Sequence, residues 1–197
     1  ADWIAPDNDL TVNASISTAW HVEEQYLGSS LLLTATGQDS GAVATTAFTD
    51  AAANTNISVT SSAATTTYGG TVTFTAIVTA TSGSAAPTGS VEFFDGTTLL
   101  GIDSTANSTG IGTSTWSLTT ASLTAGTHAS IRAVYTATGS FTGSISTNIT
   151  QTVNQKTLTG SFTADNKTYD GTTAATVQTR TLTGVLAGDV ANVSLTG

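Results

Sequence analysis

The chain has 197 residues with no Cys, no Met, 2 Pro and 19 Gly, and only 4 Lys and Arg against 13 Asp and Glu. Threonine (45) and serine (22) make up about a third of it, and the scarcity of Leu, Glu and Lys excludes a mostly helical protein. Without cysteine there is no zinc ribbon, thiol enzyme, Cys-linked haem or disulfide scaffold, and a net charge of −9 leaves no basic stripe for nucleic acid or an anionic membrane surface.

In chain order, the first strands are expected at Leu10 to Ile16, Ser29 to Thr36 and Val43 to Thr49. The clearest period is Thr71 to Ala80, where Val72, Phe74, Ala76 and Val78 alternate with Thr73, Thr75, Ile77 and Thr79. Ser114 to Leu118 alternates through Trp116, and Ala129 to Thr136 through Ile131, Ala133 and Tyr135. Turn signals separate these runs at Tyr68-Gly69-Gly70, Ser82 to Gly89, Asp95-Gly96, Asn107 to Gly110 and Ala125-Gly126. Three more strands are expected at Thr157 to Ala164, Ala174 to Thr183 and Ala191 to Thr196. Many short strands at this spacing, with no helical segment between them, predict an all-β fold, an antiparallel sandwich and not a parallel α/β sheet. Its core is expected to contain Val72, Phe74, Val78, Phe93, Trp116, Leu118, Ile131 and Tyr135. No apolar run approaches the roughly 20 residues of a membrane-spanning helix.

The chain divides into a β-rich partial module at 1–53, a complete sandwich at 54–154 and a second partial module at 155–197. In the middle part, Tyr68-Gly69-Gly70-Thr71-Val72-Thr73-Phe74, Pro87-Thr88-Gly89-Ser90-Val91-Glu92-Phe93-Phe94-Asp95-Gly96, Leu99-Leu100-Gly101, Leu123-Thr124-Ala125-Gly126-Thr127-His128 and Ala133-Val134-Tyr135 occur in an order that resembles the bacterial Ig-like repeat. That resemblance implies an Ig-like β-sandwich from a large surface or adhesin protein, a spacer with no catalytic residues. In the last part, Lys167-Thr168-Tyr169-Asp170-Gly171-Thr172-Thr173-Ala174 and the pattern Leu-x-Gly-Val-x-x-Gly-Asp at Leu182 to Asp189 resemble the opening half of a YDG-type module. The first 53 residues look like the closing strands of another surface module.

Candidate chemical sites are few. His21 and His128 are the histidines, and neither has an acid or nucleophile at a recognisable spacing. Asp7-Asn8-Asp9, with Asp2 nearby, is read as an Asx turn or as a partial calcium loop; the residues that would complete an EF-hand pattern are missing. Asp170 in Tyr169-Asp170-Gly171 is expected to form a turn. Thr71-x-Thr73-x-Thr75 is read as an ordinary exposed strand face, and an isopeptide from Lys156 or Lys167 to an Asn as a further alternative. No catalytic residue, cofactor or metal site is assigned. Glycosylation sequons stand at Asn13, Asn56, Asn107, Asn148, Asn166 and Asn192, with Asn107 favoured because it is expected in a hairpin loop.

Two function classes follow. One is an extracellular or cell-surface structural module, a fibre or stalk subunit that joins copies of itself head to tail by strand exchange between incomplete end modules. The other is an adhesin or carbohydrate-binding module that uses exposed aromatics, with Trp3 and Trp20 as candidates for stacking on glycans.

Overall fold

The computed structural model describes residues 29–36 and 41–195, so the strand expected at Leu10 to Ile16 lies outside the described residues. Among the described residues an antiparallel hairpin of β1 (Ser30–Thr36) and β2 (Val43–Thr49) comes first. The sandwich is built from β3 (Thr55–Ser61), β4 (Thr65–Thr67), β5 (Val72–Ala80), β6 (Thr88–Asp95), β7 (Thr98–Asp103), β8 (Ser108–Gly110), β9 (Thr113–Thr120), β10 (Gly126–Thr138), β11 (Ser144–Ile145) and β12 (Ile149–Asn154). A second hairpin follows, β13 (Thr159–Ala164) with β14 (Val177–Thr183), and a 3-10 turn at Ala187–Asp189.

Two sheets face each other, one in the order β3-β5-β9-β8 and the other β4-β12-β10-β6-β7, with β11 pairing β10. The chain changes sheet between β3 and β4. After pairing antiparallel with β5 through Ser61, it crosses over, and Thr65–Thr67 pairs parallel with Thr152–Asn154 of β12. This is an Ig-like β-sandwich.

Alternation explains how the sheets close. Val72, Phe74, Ala76 and Val78 of β5 turn inward and are buried, while Thr73, Thr75, Ile77 and Thr79 stay at least partly exposed. Beside them in the same sheet β9 contributes Trp116, and opposite them β10 contributes Ile131, Ala133 and Tyr135 and β6 contributes Val91 and Phe93. The rings of Trp116 and Tyr135 meet across the sandwich with centroids 5.4 Å apart and planes tilted by 44°. The Tyr135 hydroxyl donates to the Thr88 carbonyl at 2.5 Å, so the polar end of the ring is satisfied. Gln151 is also buried, and its amide oxygen accepts from Ser61 Oγ at 2.6 Å while its Nε2 donates to the Thr152 carbonyl at 3.1 Å.

Four features differ from the expectation. Leu118 lies at the margin of the core, packed over Gly101 of the other sheet, where a Cβ would stand 2.7 Å from Leu118 Cδ1. Ser108–Gly110 is strand, and the β8–β9 turn falls at Ile111-Gly112, so Asn107 precedes a strand and is not in a hairpin loop. The tail strands begin later than expected, at Thr159 and Val177. Residues 191–195 form no strand: the Asn192 N–H donates back to the Asp189 carbonyl at 2.8 Å, which turns the chain.

Phe74→Ala in the full chain is expected to cost about 3–5 kcal/mol, the cavity cost of a fully buried ring. Ser114→Ala is expected to be neutral or stabilising, because its buried hydroxyl has no hydrogen-bond partner. Urea denaturation reads both, and equal losses for the two would contradict this packing.

Candidate functional site

Three polar constellations lie outside the core. The first is at the β6–β7 turn, where Asp95-Gly96 reverses the chain between two strands that end in register, Asp95 opposite Thr98. His128 Nδ1 is 2.6 Å from Asp95 Oδ2, and its Nε2 is 2.9 Å from the Thr124 carbonyl oxygen. Both partners are acceptors, so only the doubly protonated imidazolium donates to both. Burial opposes that charge, but the hydrogen bonds to Thr124 and Asp95 outweigh it, and the pKa is raised above 6.5. Arg132 reinforces the same turn, with its guanidinium 4.8 Å from the centroid of the Phe94 ring and one N–H donated to the Gly96 carbonyl. With both nitrogens engaged, His128 is a structural clamp.

The second constellation is the loop between β13 and β14. Asp170 Oδ1 accepts from Lys167 Nζ at 2.7 Å, from the Thr172 N–H at 3.0 Å and from Thr172 Oγ1 at 2.8 Å. These bonds, that to Lys167 foremost, hold the Asp170 carboxyl below its ordinary range. Gly171 adopts φ +80°, as expected of the turn. Lys167 also donates to the Thr172 carbonyl, so its amine closes this loop and does not reach for an Asn. The loop leaves Tyr169 90% exposed. Sequence reasoning read that ring only as part of a turn motif; an aromatic flanked by turn residues was the available signal.

The third is a cleft of about 270 Å³ where the sandwich meets the following segment, lined by Tyr68, Ala125, Lys156, Leu158, Leu186 and Asp189 among others. Tyr68 Oη donates to Asp189 Oδ1 at 3.2 Å, and that carboxylate raises the tyrosine pKa.

The sequons are dispersed. Asn56, Asn107, Asn148, Asn166 and Asn192 are all exposed, on different elements, and the structure brings no two of them together as a site. Asn107 Oδ1 accepts from Ser117 Oγ at 2.9 Å. Asn13, His21, Trp3, Trp20 and the Asp7-Asn8-Asp9 segment lie outside the described residues. Among the described residues there is no cluster of three or more His, Asp or Glu able to hold a metal ion, and no helix is long and apolar enough to cross a membrane.

The His128 clamp makes a signed prediction. A raised folded-state pKa means that its stabilisation is fully present below the unfolded value near 6.5 and is lost as pH rises through the folded value. His128→Gln should therefore melt below wild type at about pH 6 and approach it toward about pH 9. A gap that stays constant across a thermal-unfolding series would contradict the clamp.

Comparison with curated proteins gives no match to the chain. A family model does match its middle. The matched stretch runs from inside β3 to the end of β12, which is the sandwich that carries the buried core. Domains of this kind are generally non-enzymatic and are often found in surface proteins. By fold and by sequence, then, residues 59–154 match the bacterial Ig-like domain (group 3).

Proposed function

We propose that the chain is a non-enzymatic structural module of an extracellular or cell-surface protein, a fibre or stalk subunit that joins copies of itself head to tail by strand exchange. The observation that carries this reading is a closed sandwich flanked by two two-stranded hairpins, neither of which joins a larger sheet among the described residues. On β1–β2 the register puts Leu31 opposite Phe48 and Leu33 and Ala35 on the same face, with Leu33 40% exposed. On β13–β14 Phe162 and Leu182 share a face, with Phe162 70% exposed. A lone hairpin is marginal in water. Packing one such face on the other would build a second sandwich core from two chains.

In this reading residues 1–53 are closing strands of one module, 54–154 an independent sandwich, and 155–197 the opening half of a YDG-type module. The contact between copies uses different surfaces on each, so it need not close and generates an open filament. The exposed sequons support a glycosylated surface, which suits a chain with so few charges.

Deleting residues 156–197 should leave soluble monomers that still cap filament growth, as read by electron microscopy and sedimentation. Polymerisation of the truncated chain equal to that of the intact one would rule out strand exchange at this end. Intact mass of native material should exceed the 19.7 kDa of the polypeptide; equality would end the glycoprotein reading.

A further inference from the structure

Two sequence motifs more than a hundred positions apart meet at the cleft where the sandwich ends. Tyr68-Gly69-Gly70 is the turn between β4 and β5, and Leu182 to Asp189 closes the tail hairpin and carries the 3-10 turn. Neither is needed to close the sandwich core, since Tyr68 packs only at its margin.

We propose that Tyr68-Gly69 is a docking socket for the segment 185–189, and that it fixes the direction in which the module after the sandwich leaves it. The proposal rests on the reading of the chain as a spacer built of consecutive modules. Leu186 is seated directly on Gly69. The backbone there has φ +80°, which favours glycine, and a Cβ at that position would run into Leu186 Cδ1 and push the leucine out of its seat. Beside this apolar contact, Tyr68 Oη donates to Asp189 Oδ1 at 3.2 Å. The 3-10 turn holds the two contacting residues together, because the Asp189 N–H donates to the Leu186 carbonyl at 2.9 Å.

The socket is tied to the point of exit. The Tyr68 N–H donates to the carbonyl of Asn154, the last residue of β12, at 2.8 Å. Beside the docked loop the backbone runs close to the connecting segment: a Cβ added at Gly184 would stand 3.1 Å from the Thr157 carbonyl oxygen and 3.4 Å from Leu158 Cδ2. A further wall of the cleft is Ala125, whose neighbour Thr124 is held by His128. A tail attached only through residues 154–158 would pivot on those bonds. Contact at a second place, on a turn registered against the exit strand, removes the pivot. The partner this socket fits is therefore a following module that presents an apolar side chain and, three residues later, a carboxylate on a tight turn.

The test uses the full chain as a monomer, labelled with 15N and weakly aligned for residual dipolar couplings. One alignment tensor should fit the amides of β5, β9 and β10 together with those of β13 and β14. Leu186→Ser should abolish the common tensor while the couplings within the sandwich persist. Tyr68→Phe, which keeps the ring, should loosen the joint in the same direction with a smaller loss. If Leu186→Ser instead collapses the amide dispersion of β13–β14, Tyr68→Phe decides. A wild type that needs two tensors, or a joint unmoved by Tyr68→Phe in that case or by both variants otherwise, overturns the socket. Absence of filaments would sink the assembly reading and leave this measurement as it stands, because it is made on single chains.

Discussion

Everything else in this molecule depends on the contact between the inner faces of two sheets, centred on β10. That strand pairs with β6 on one side and with β11 and β12 on the other, and its inward residues Ile131, Ala133 and Tyr135 are buried in the same core as Phe74 and Trp116 of the other sheet. With no disulfide and few charges in the sequence, cooperative stability rests on this one core of thirteen buried apolar residues. The two hairpins stand outside this core. No second sheet of the described residues packs on either of them.

Threonine does outside what the apolar residues do inside. Its branched Cβ suits the pleat, and its hydroxyl is content with water or with a neighbour across the strand. Thr73 and Thr119 share a hydroxyl hydrogen bond of 2.7 Å on the outer face of the sandwich, and Thr163 and Thr179 share one of 2.6 Å on the tail hairpin. Cross-strand pairs of this kind hold register without charge. That is how a chain with only 17 ionisable acids and bases besides histidine and tyrosine covers so many strands.

Among the described residues, three carboxylates brace turns and joints. Asp95 meets His128 at a hairpin turn, Asp170 meets Lys167 in a loop, and Asp189 meets Tyr68 between the sandwich and its neighbour. The first and third brace the same end of the sandwich, because the loop of Thr124 and Ala125 belongs to both.

The sequence by itself determined the fold class, the inward residues of β5, β9 and β10 and the position of most turns, because period-two alternation and Gly-containing turns are local signals. It was also sufficient for the Asp170 turn, which is made by residues within five positions of one another. Only the tertiary structure decided what lies far apart in the chain. His128 is clamped by the nearby Thr124 carbonyl and also by Asp95, 33 positions away, which no local signal pairs with it. Leu118 drops to the edge of the core because a glycine in the opposite sheet lets it lean across. Ala191 to Leu195 has the composition of a strand, yet a hydrogen bond back to Asp189 turns it and leaves Leu195 packed over Gly160. The socket is the extreme case. Tyr68 and Asp189 are 121 positions apart, each sits in a motif that reads locally as a turn, and nothing short of the packed chain brings the hydroxyl to the carboxylate.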